Sequence, residues 1–121
     1  MPLMVADSSA LILLAKCGLL EIVCDIFDVV VPAAVNIEVA SEKMVKNYPD
    51  AALISELTSK GAIKIKSPGS ARLSMPISLH KGEEEALLLA IKLGRALLAT
   101  DDGKAIKAAR FFNVPFIVTP N

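Results

Sequence analysis

The stretch Leu97-Leu98-Ala99-Thr100-Asp101-Asp102-Gly103 joins a short apolar run to two carboxylates. Four apolar or β-branched residues without alternation predict a strand that is buried on both faces, as the strands of a parallel sheet are. A helical pattern starts immediately after the two acids. Asp101 is therefore predicted at the carboxyl end of this strand, where open α/β sheets place their ligand crevice.

The rest of the chain alternates strands with helices in the same way. Further strands are predicted at residues 3–6, 29–31, 63–66 and 116–118, with residues 97–100 as the central strand. Helices are predicted at residues 10–16, 19–27, 32 to about 46, 51–59, 83–93 and 102–112, and a long loop at residues 67–82. In this scheme Pro32 is the first residue of its helix, and Gly82 caps the helix that follows it. The order predicts one α/β domain over residues 1–121, a three-layer α/β/α sandwich around a mostly parallel sheet.

The amino-acid composition argues against several classes of protein. Thirteen basic and thirteen acidic residues give a formal net charge of +0, which argues against tight, nonspecific binding of long duplexes. The apolar share is 54%, yet no apolar run reaches the ~18 residues that span a bilayer. The first residues carry no basic segment of the kind that opens a secretory signal. We expect a soluble, cytoplasmic protein that does not enter a membrane.

Four carboxylates occupy matching places in this scheme. Asp7 ends the first strand, Asp101 ends the fourth, Glu83 opens the helix before it, and Glu38 lies about two turns into the helix after strand two. The ends of parallel strands converge on one edge of a sheet, so these acids can meet. Oxygen ligands are what Mg²⁺ and Mn²⁺ select, and such ions activate water and offset charge on phosphoryl oxygens. The hypothesis is a divalent metal site that cuts phosphodiesters.

Each acid also has a purely structural interpretation. Asp7 can cap a helix that begins at Ser8 or Ser9, and Asp101 can cap the helix that begins at Asp102. Glu83 and its acidic neighbours can stabilise a helix N-terminus through the helix dipole, and Glu38 can be an ordinary solvated residue.

Taken together, the motifs resemble those of the PIN domain, the ribonuclease fold of VapC-type toxins. The resemblance is nearest to the branch with a GE-x-EA segment and covers residues 3 to about 118. The segments that carry it are Ala6-Asp7-Ser8-Ser9-Ala10-Leu11-Ile12, Val31-Pro32-Ala33-Ala34-Val35-Asn36-Ile37-Glu38-Val39, Gly82-Glu83-Glu84-Glu85-Ala86 followed by Leu93-Gly94, and Leu98-Ala99-Thr100-Asp101-Asp102.

This resemblance implies a Mg²⁺- or Mn²⁺-dependent endoribonuclease that is the toxin of a toxin–antitoxin pair or a relative of one. It also implies RNA as substrate, an antitoxin protein as partner and a homodimeric assembly. The catalytic, metal-binding acids it implies are Asp7, Glu38, Glu83 and Asp101. Ser8 supports the site, and Asp102 and Glu85 are secondary candidates. The eleven-residue offset from Glu83 to Gly94 favours Glu83 over Glu85.

Basic residues supply the candidate RNA contacts. Lys104, Lys107 and Arg110 recur every three residues on the helix after Asp101, which predicts one basic stripe. A solvated helix face explains the same pattern. Two other classes of function remain open: a non-catalytic PIN-like scaffold that binds a partner protein, and a nucleotide-binding or receiver-like domain, which the lack of a GxGxxG or GxxxxGK[ST] pattern disfavours.

Overall fold

The computed structural model of the protein describes residues 1–69 and 78–118. Within these residues the elements are β1 Leu3–Ala6, α1 Ser8–Lys16, α2 Leu20–Ile26, β2 Asp28–Pro32, α3 Ala33–Ala40, α4 Glu42–Asn47, α5 Pro49–Ser59, β3 Ile63–Lys66, α6 Lys81–Leu93, β4 Ala96–Thr100, α7 Gly103–Phe111 and β5 Phe116–Val118. The strands lie in the order β3-β2-β1-β4-β5, and every neighbouring pair is parallel. The α/β class and the mostly parallel sheet are confirmed.

The sheet separates two apolar cores, and the side chains of each strand alternate between them. In β1, Met4 and Ala6 pack with α1, α2, α3 and α5 on one face, whereas Val5 packs with α6 and α7 on the other. Because both faces are covered, β1, β2 and β4 consist of nearly continuous apolar residues rather than alternating ones. The architecture is therefore the predicted three-layer sandwich.

The central strand is β1, so the prediction that residues 97–100 form it is wrong. Strand β4 lies beside β1 and has β5 on its other side. An apolar run shows that a strand is buried on both faces, but it does not show how many strands lie to either side. The chain builds β1, β2 and β3 in one direction and then crosses to β4. The strand order therefore reverses between β1 and β4, the kind of position where doubly wound sheets bind ligands.

The long helix predicted from residue 32 to about 46 is interrupted. Pro32 has extended backbone (φ −71°, ψ 155°), ends β2 and precedes α3 instead of opening it. Ser41 is also extended (φ −63°, ψ 159°), and its Oγ accepts a hydrogen bond of 3.4 Å from the Met44 N–H, so a second helix begins there. A serine can end one helix and cap the next, because its hydroxyl competes for backbone donors.

The start of α6 differs from the prediction and positions the site. The helix begins at Lys81 with His80 as its N-cap, so Gly82 is a buried helical residue and not the cap. Gly94 (φ +60°) ends α6 as predicted. The predicted loop at residues 67–82 lies partly outside the described residues. In the described ranges, 1–69 and 78–118, every helix is too short or too polar to cross a membrane.

Candidate active site

Asp7 lies at the point where the strand order reverses. Ala6 pairs with Ala99 in the β1–β4 register, and the Asp7 N–H donates to the Ala99 carbonyl, which sets Asp7 beside Thr100. The Asp7 side chain is 1% exposed. Its Oδ1 accepts from the Ser9 hydroxyl (2.8 Å) and the Ala10 N–H (3.0 Å), and its Oδ2 accepts from the Thr100 hydroxyl. Asp7 therefore caps α1 and, at the same time, is buried where the strand order reverses.

The electrostatics of Asp7 are those of a buried acid among other acids. Burial raises the pKa of the Asp7 carboxyl, since the charged form is poorly solvated there. The three hydrogen bonds favour the ionised form and oppose this effect, while the negative charge of Asp102 adds to it. A carboxylate has about four acceptor positions, and the protein uses three of them, which leaves room for one more donor or a cation.

The two acids after β4 have different environments. Asp101 is exposed, and its backbone N–H donates to Ser9 Oγ at 3.1 Å. Asp102 is half-buried and caps α7, because its Oδ2 accepts from the Ala105 N–H at 2.9 Å. Asp102 is also the acid whose charge raises the pKa of both Asp7 and Glu83. The structure thus groups Asp102, the secondary candidate, with Asp7 and Glu83.

Glu83 lies in the first turn of α6 and faces this group. Burial raises the pKa of the Glu83 carboxyl, and repulsion by Asp102 and then Asp7 adds to the increase, while the nearby His80 opposes it. Glu83 Oε1 accepts from the His80 N–H at 3.1 Å. Glu85 is oriented differently: its Oε1 accepts from the Ala34 N–H (3.4 Å) at the start of α3. Of the two glutamates, Glu83 is the one whose pKa is raised by the charges of Asp102 and Asp7.

Gly82 brings α6 close to α1 and α3. A Cβ placed on Gly82 would lie 3.3 Å from Val35 Cγ2, 3.5 Å from Glu38 Oε1 and 3.8 Å from Ser8 Oγ. Glu38 is on the exposed side of α3, yet its carboxylate reaches the backbone beside Glu83. Ser8 Oγ is buried and has no hydrogen-bond partner among the described residues. A buried hydroxyl without a partner is costly, so this atom is suited to a further ligand.

In the part of the chain that the structure describes, no three His, Cys, Asp or Glu side chains converge closely enough to hold a metal ion as they stand. The chemistry of the group nonetheless fits a hard divalent cation. The groups around Gly82 and the β1–β4 boundary are all oxygen donors, and one of them is the unpartnered Ser8 hydroxyl. The mutual repulsion of Asp7, Glu83 and Asp102 is what a cation would relieve.

The basic stripe is present on α7, but its members have different surroundings. Lys104, Lys107 and Arg110 are all exposed. The Arg110 guanidinium lies over the Phe116 ring, 5.5 Å from its centroid. Lys104 instead lines a cleft of about 370 Å³, together with Ser78, Leu79, His80, Asp102 and Gly103.

Two residues of this site were not predicted from the sequence. Ser9 bridges Asp7 and the Asp101 N–H, and Thr100 bridges Asp7 and the Asp102 N–H. A hydroxyl two residues after a capping aspartate is a local signal for Ser9. For Thr100 the signal is the β1–β4 register, which the sequence does not contain.

Comparisons with known proteins agree with this architecture. The family model of the PIN domain matches residues 3–119. A solved structure of a PilT N-terminus domain protein from the archaeon Sulfolobus solfataricus P2 superimposes with a TM-score of 0.58, at 17% identity, covering 96% of this chain and 86% of that one. No curated protein matches the chain. PIN domains are generally nucleases that act on RNA and use divalent metal ions. By the match over nearly its whole length, the chain belongs to the PIN domain family.

Proposed function

We propose that this protein is a Mg²⁺- or Mn²⁺-dependent endoribonuclease that hydrolyses RNA phosphodiester bonds. The observation that carries the proposal is the burial of Asp7 where the strand order reverses, within the electrostatic reach of Glu83 and Asp102. Burying an acid among other acids is unfavourable for folding, so the arrangement has to be explained by something other than stability. Such clusters of perturbed carboxylates are typical of catalytic sites.

The residues that would hold the metal are Asp7, Glu83 and Asp102, together with Glu38 of α3 and Ser8 of α1, which both lie close to Gly82. When bound, a divalent ion supplies a more acidic water and offsets charge on the phosphoryl oxygens. The protein contributes the fixed positions of these groups. Asp7 is held by three donors, Asp102 by its capping bond to α7, and Glu83 by the His80 N–H. Asp101, the residue predicted from the sequence, is the alternative to Asp102 as the acid after β4.

A pair of asparagine variants tests this proposal. We expect Asp102→Asn to reduce Mn²⁺-dependent RNA cleavage by about 10²-fold or more, the size of effect seen when one group that stabilises a transition state is removed. Asparagine is as good an N-cap as aspartate, so α7 should remain folded. Asp101→Asn is the comparison variant, because it changes the exposed neighbour of the same charge and should leave most of the cleavage intact. The reverse order of effects would assign the role to Asp101. Cleavage that survives both Asp102→Asn and Asp7→Asn would refute the assignment of these acids to catalysis, whereas a lack of Mn²⁺-dependent cleavage by the unmodified protein would refute the nuclease.

The biological role that we propose is that of a toxin in a toxin–antitoxin pair, acting in the cytoplasm as a homodimer and neutralised by an antitoxin protein. The resemblance of the four motifs to VapC-type sequences supports it. Induced expression should arrest growth of a bacterial host, and Asp7→Asn should abolish the arrest. Light scattering of the purified protein would give the oligomeric state.

One observation favours the alternative of a non-catalytic scaffold. The carboxylates of Asp7, Glu83 and Asp102 lie at one edge of the sheet, yet among the described residues no three such side chains converge as metal ligands. A scaffold predicts that Mn²⁺ binds weakly or not at all, whereas a nuclease predicts saturable binding that Asp7→Asn and Glu83→Gln both weaken. Calorimetric titration of the purified protein with Mn²⁺ separates the two functions.

A further inference from the structure

The cleft that Lys104 lines is formed by two helix starts that lie side by side. Helices α6 and α7 pack on the same face of the sheet, and both begin at its carboxyl edge. One wall is the segment Ser78, Leu79 and His80 that leads into α6, and the other is Asp102, Gly103 and Lys104. The cleft therefore opens at the edge of the sheet where Asp7 is located.

The same cleft is continuous with the acidic residues. Asp102 is part of its wall, and His80 is bound through its backbone N–H to Glu83. Both acids lie at the starts of these helices, and the negative charge of Asp102 raises the pKa of the Glu83 carboxyl. A molecule in the cleft is thereby adjacent to two of the acids assigned to catalysis.

The lining combines the chemistry that a nucleotide requires. Lys104 supplies a cation and His80 an aromatic ring to the lining, and the half-buried Leu79 adds an apolar surface. A lysine binds phosphate as a point charge, while imidazole rings stack on exposed bases. A volume of about 370 Å³ is near the lower end of small-molecule pockets, which suits one nucleotide and excludes a duplex.

We infer that this cleft binds one unpaired nucleotide of single-stranded RNA beside the cleaved bond, with Lys104 on a phosphate and His80 stacked on the base. The inference rests on the proposed nuclease function and names the part of its site that selects the substrate. It also separates Lys104 from the other two residues of the basic stripe. Lys107 is about 4.5 Å further along α7, and Arg110 is packed on Phe116, so neither lines the cleft.

His80 is the only histidine of the chain, which makes it a unique reporter. Protein labelled with ¹³C-histidine is titrated with a uridine hexanucleotide in EDTA and low salt, so that binding is measured without cleavage. We expect a saturable shift of the His80 ring signal, absent with a blunt RNA duplex. Lys104→Ala should weaken the binding and lower the slope of log K against log salt by about 0.7, the value for one phosphate contact with a single strand. Lys107→Ala should leave both unchanged.

Stacking is tested by replacing the ring and following a fluorescent hexanucleotide by anisotropy. His80→Ala should weaken binding by about tenfold, and His80→Phe should restore most of it, because stacking needs a flat ring and not a titratable one. An unshifted His80 signal, equal effects of Lys104→Ala and Lys107→Ala, or equal binding of duplex would overturn the inference. Mn²⁺-dependent cleavage is scored separately: Lys104-dependent binding without cleavage refutes the nuclease alone, and cleavage with an unaltered KM in Lys104→Ala refutes the cleft alone.

Discussion

Thr100 donates a hydrogen bond to Asp7 Oδ2 and so joins residues 93 positions apart in the chain. The same hydroxyl accepts from the Asp102 N–H at 3.1 Å. Because a threonine hydroxyl has a single proton, the bond from Asp102 directs that proton toward Asp7. Thr100 is fully buried, so no solvent competes for either bond. One side chain thereby fixes the relative position of two acids from neighbouring strands.

This link predicts a difference between two substitutions at position 100. Thr100→Val keeps the shape but leaves Asp7 with one donor fewer and the Asp102 N–H without its acceptor, so we expect the free energy of unfolding to fall by about 2–3 kcal/mol. Thr100→Ser keeps both bonds and loses only a methyl group, at about 1 kcal/mol. Urea denaturation of the metal-free protein measures both. Equal losses in the two variants would show that packing, and not the hydroxyl, is what matters.

The sequence contains the local information that builds this site. Each buried strand is visible as an apolar run, Gly94 as a helix end, and the acids at 7, 83 and 102 as residues in helix caps or first turns. Register and the spatial order of strands are different, because they depend on contacts between distant segments. For this reason the pairing of Thr100 with Asp7, and the central place of β1, could not be predicted.

The choice between Asp101 and Asp102 could not be made from the sequence for a similar reason. Both acids follow β4 directly, and only the backbone path from the strand into α7 decides which one caps the helix and faces Glu83. Gly82 is the second case. A glycine before a run of glutamates is typical of a cap, but here the missing Cβ lets α6 approach Val35 and Glu38. Tertiary packing, not local conformation, sets the identity of that residue.

The two serines after Asp7 should respond in opposite ways to replacement by alanine. Ser9→Ala removes the bond to Asp7 and the acceptor for the Asp101 N–H, so we expect a loss of about 1–2 kcal/mol in the free energy of unfolding. Ser8→Ala removes a buried hydroxyl that has no partner among the described residues, so we expect no loss or a gain of up to about 1 kcal/mol.

The two variants also differ in what they report about the metal. If Ser8 serves the cation, Ser8→Ala should lower the affinity for Mn²⁺ in calorimetry even though the fold is as stable as before. Thermal melts in EDTA measure the stability of the fold, and the increase in melting temperature in Mn²⁺ reports the affinity for the metal, both from one preparation. A Ser8→Ala protein that is destabilised as much as Ser9→Ala would contradict the structural assignment of its hydroxyl.

The raised pKa values of Asp7 and Glu83 predict how stability depends on pH. Both carboxyls bind protons more readily in the folded than in the unfolded chain, whose ordinary values are 3.8 and 4.5. By linkage the folded state is then destabilised where both are ionised, and this destabilisation is lost as the pH falls through the raised values toward the ordinary ones. In EDTA we therefore expect the melting temperature to rise as the pH is lowered from neutral toward these ordinary values.

Glu83→Gln serves as the control for that measurement. It removes one of the two groups with a raised pKa, so the dependence on pH should become shallower. Saturating Mn²⁺ should remove or reverse the trend, because a bound cation favours the ionised carboxylates. A melting temperature of the metal-free protein that falls steadily over the same pH range would contradict the raised pKa values.

Gly82→Ala tests the close approach of α6 to α3. The new methyl group would lie 3.3 Å from Val35 Cγ2, and Val35 is fully buried and cannot move aside freely. Overpacking of this kind costs about 1–3 kcal/mol, whereas the gain in helix propensity returns at most about 1 kcal/mol. We therefore expect a net loss of about 1 kcal/mol in the free energy of unfolding, together with weaker Mn²⁺ binding, because the clash with Val35 strains the contact between α6 and α3 that places Glu83 and Glu38.

Gly103→Ala is the matched substitution at the start of the other helix. A Cβ there would meet nothing within 4 Å, so only the gain in helix propensity should remain, and α7 should become slightly more stable. Urea denaturation and calorimetry with Mn²⁺ on the two variants separate the contribution of backbone conformation from that of packing. Equal stability of Gly82→Ala and Gly103→Ala would mean that α6 can shift away from α3. Glu38 would then be free of the constraint that places it beside Glu83, and its assignment to the metal site would lose its structural support.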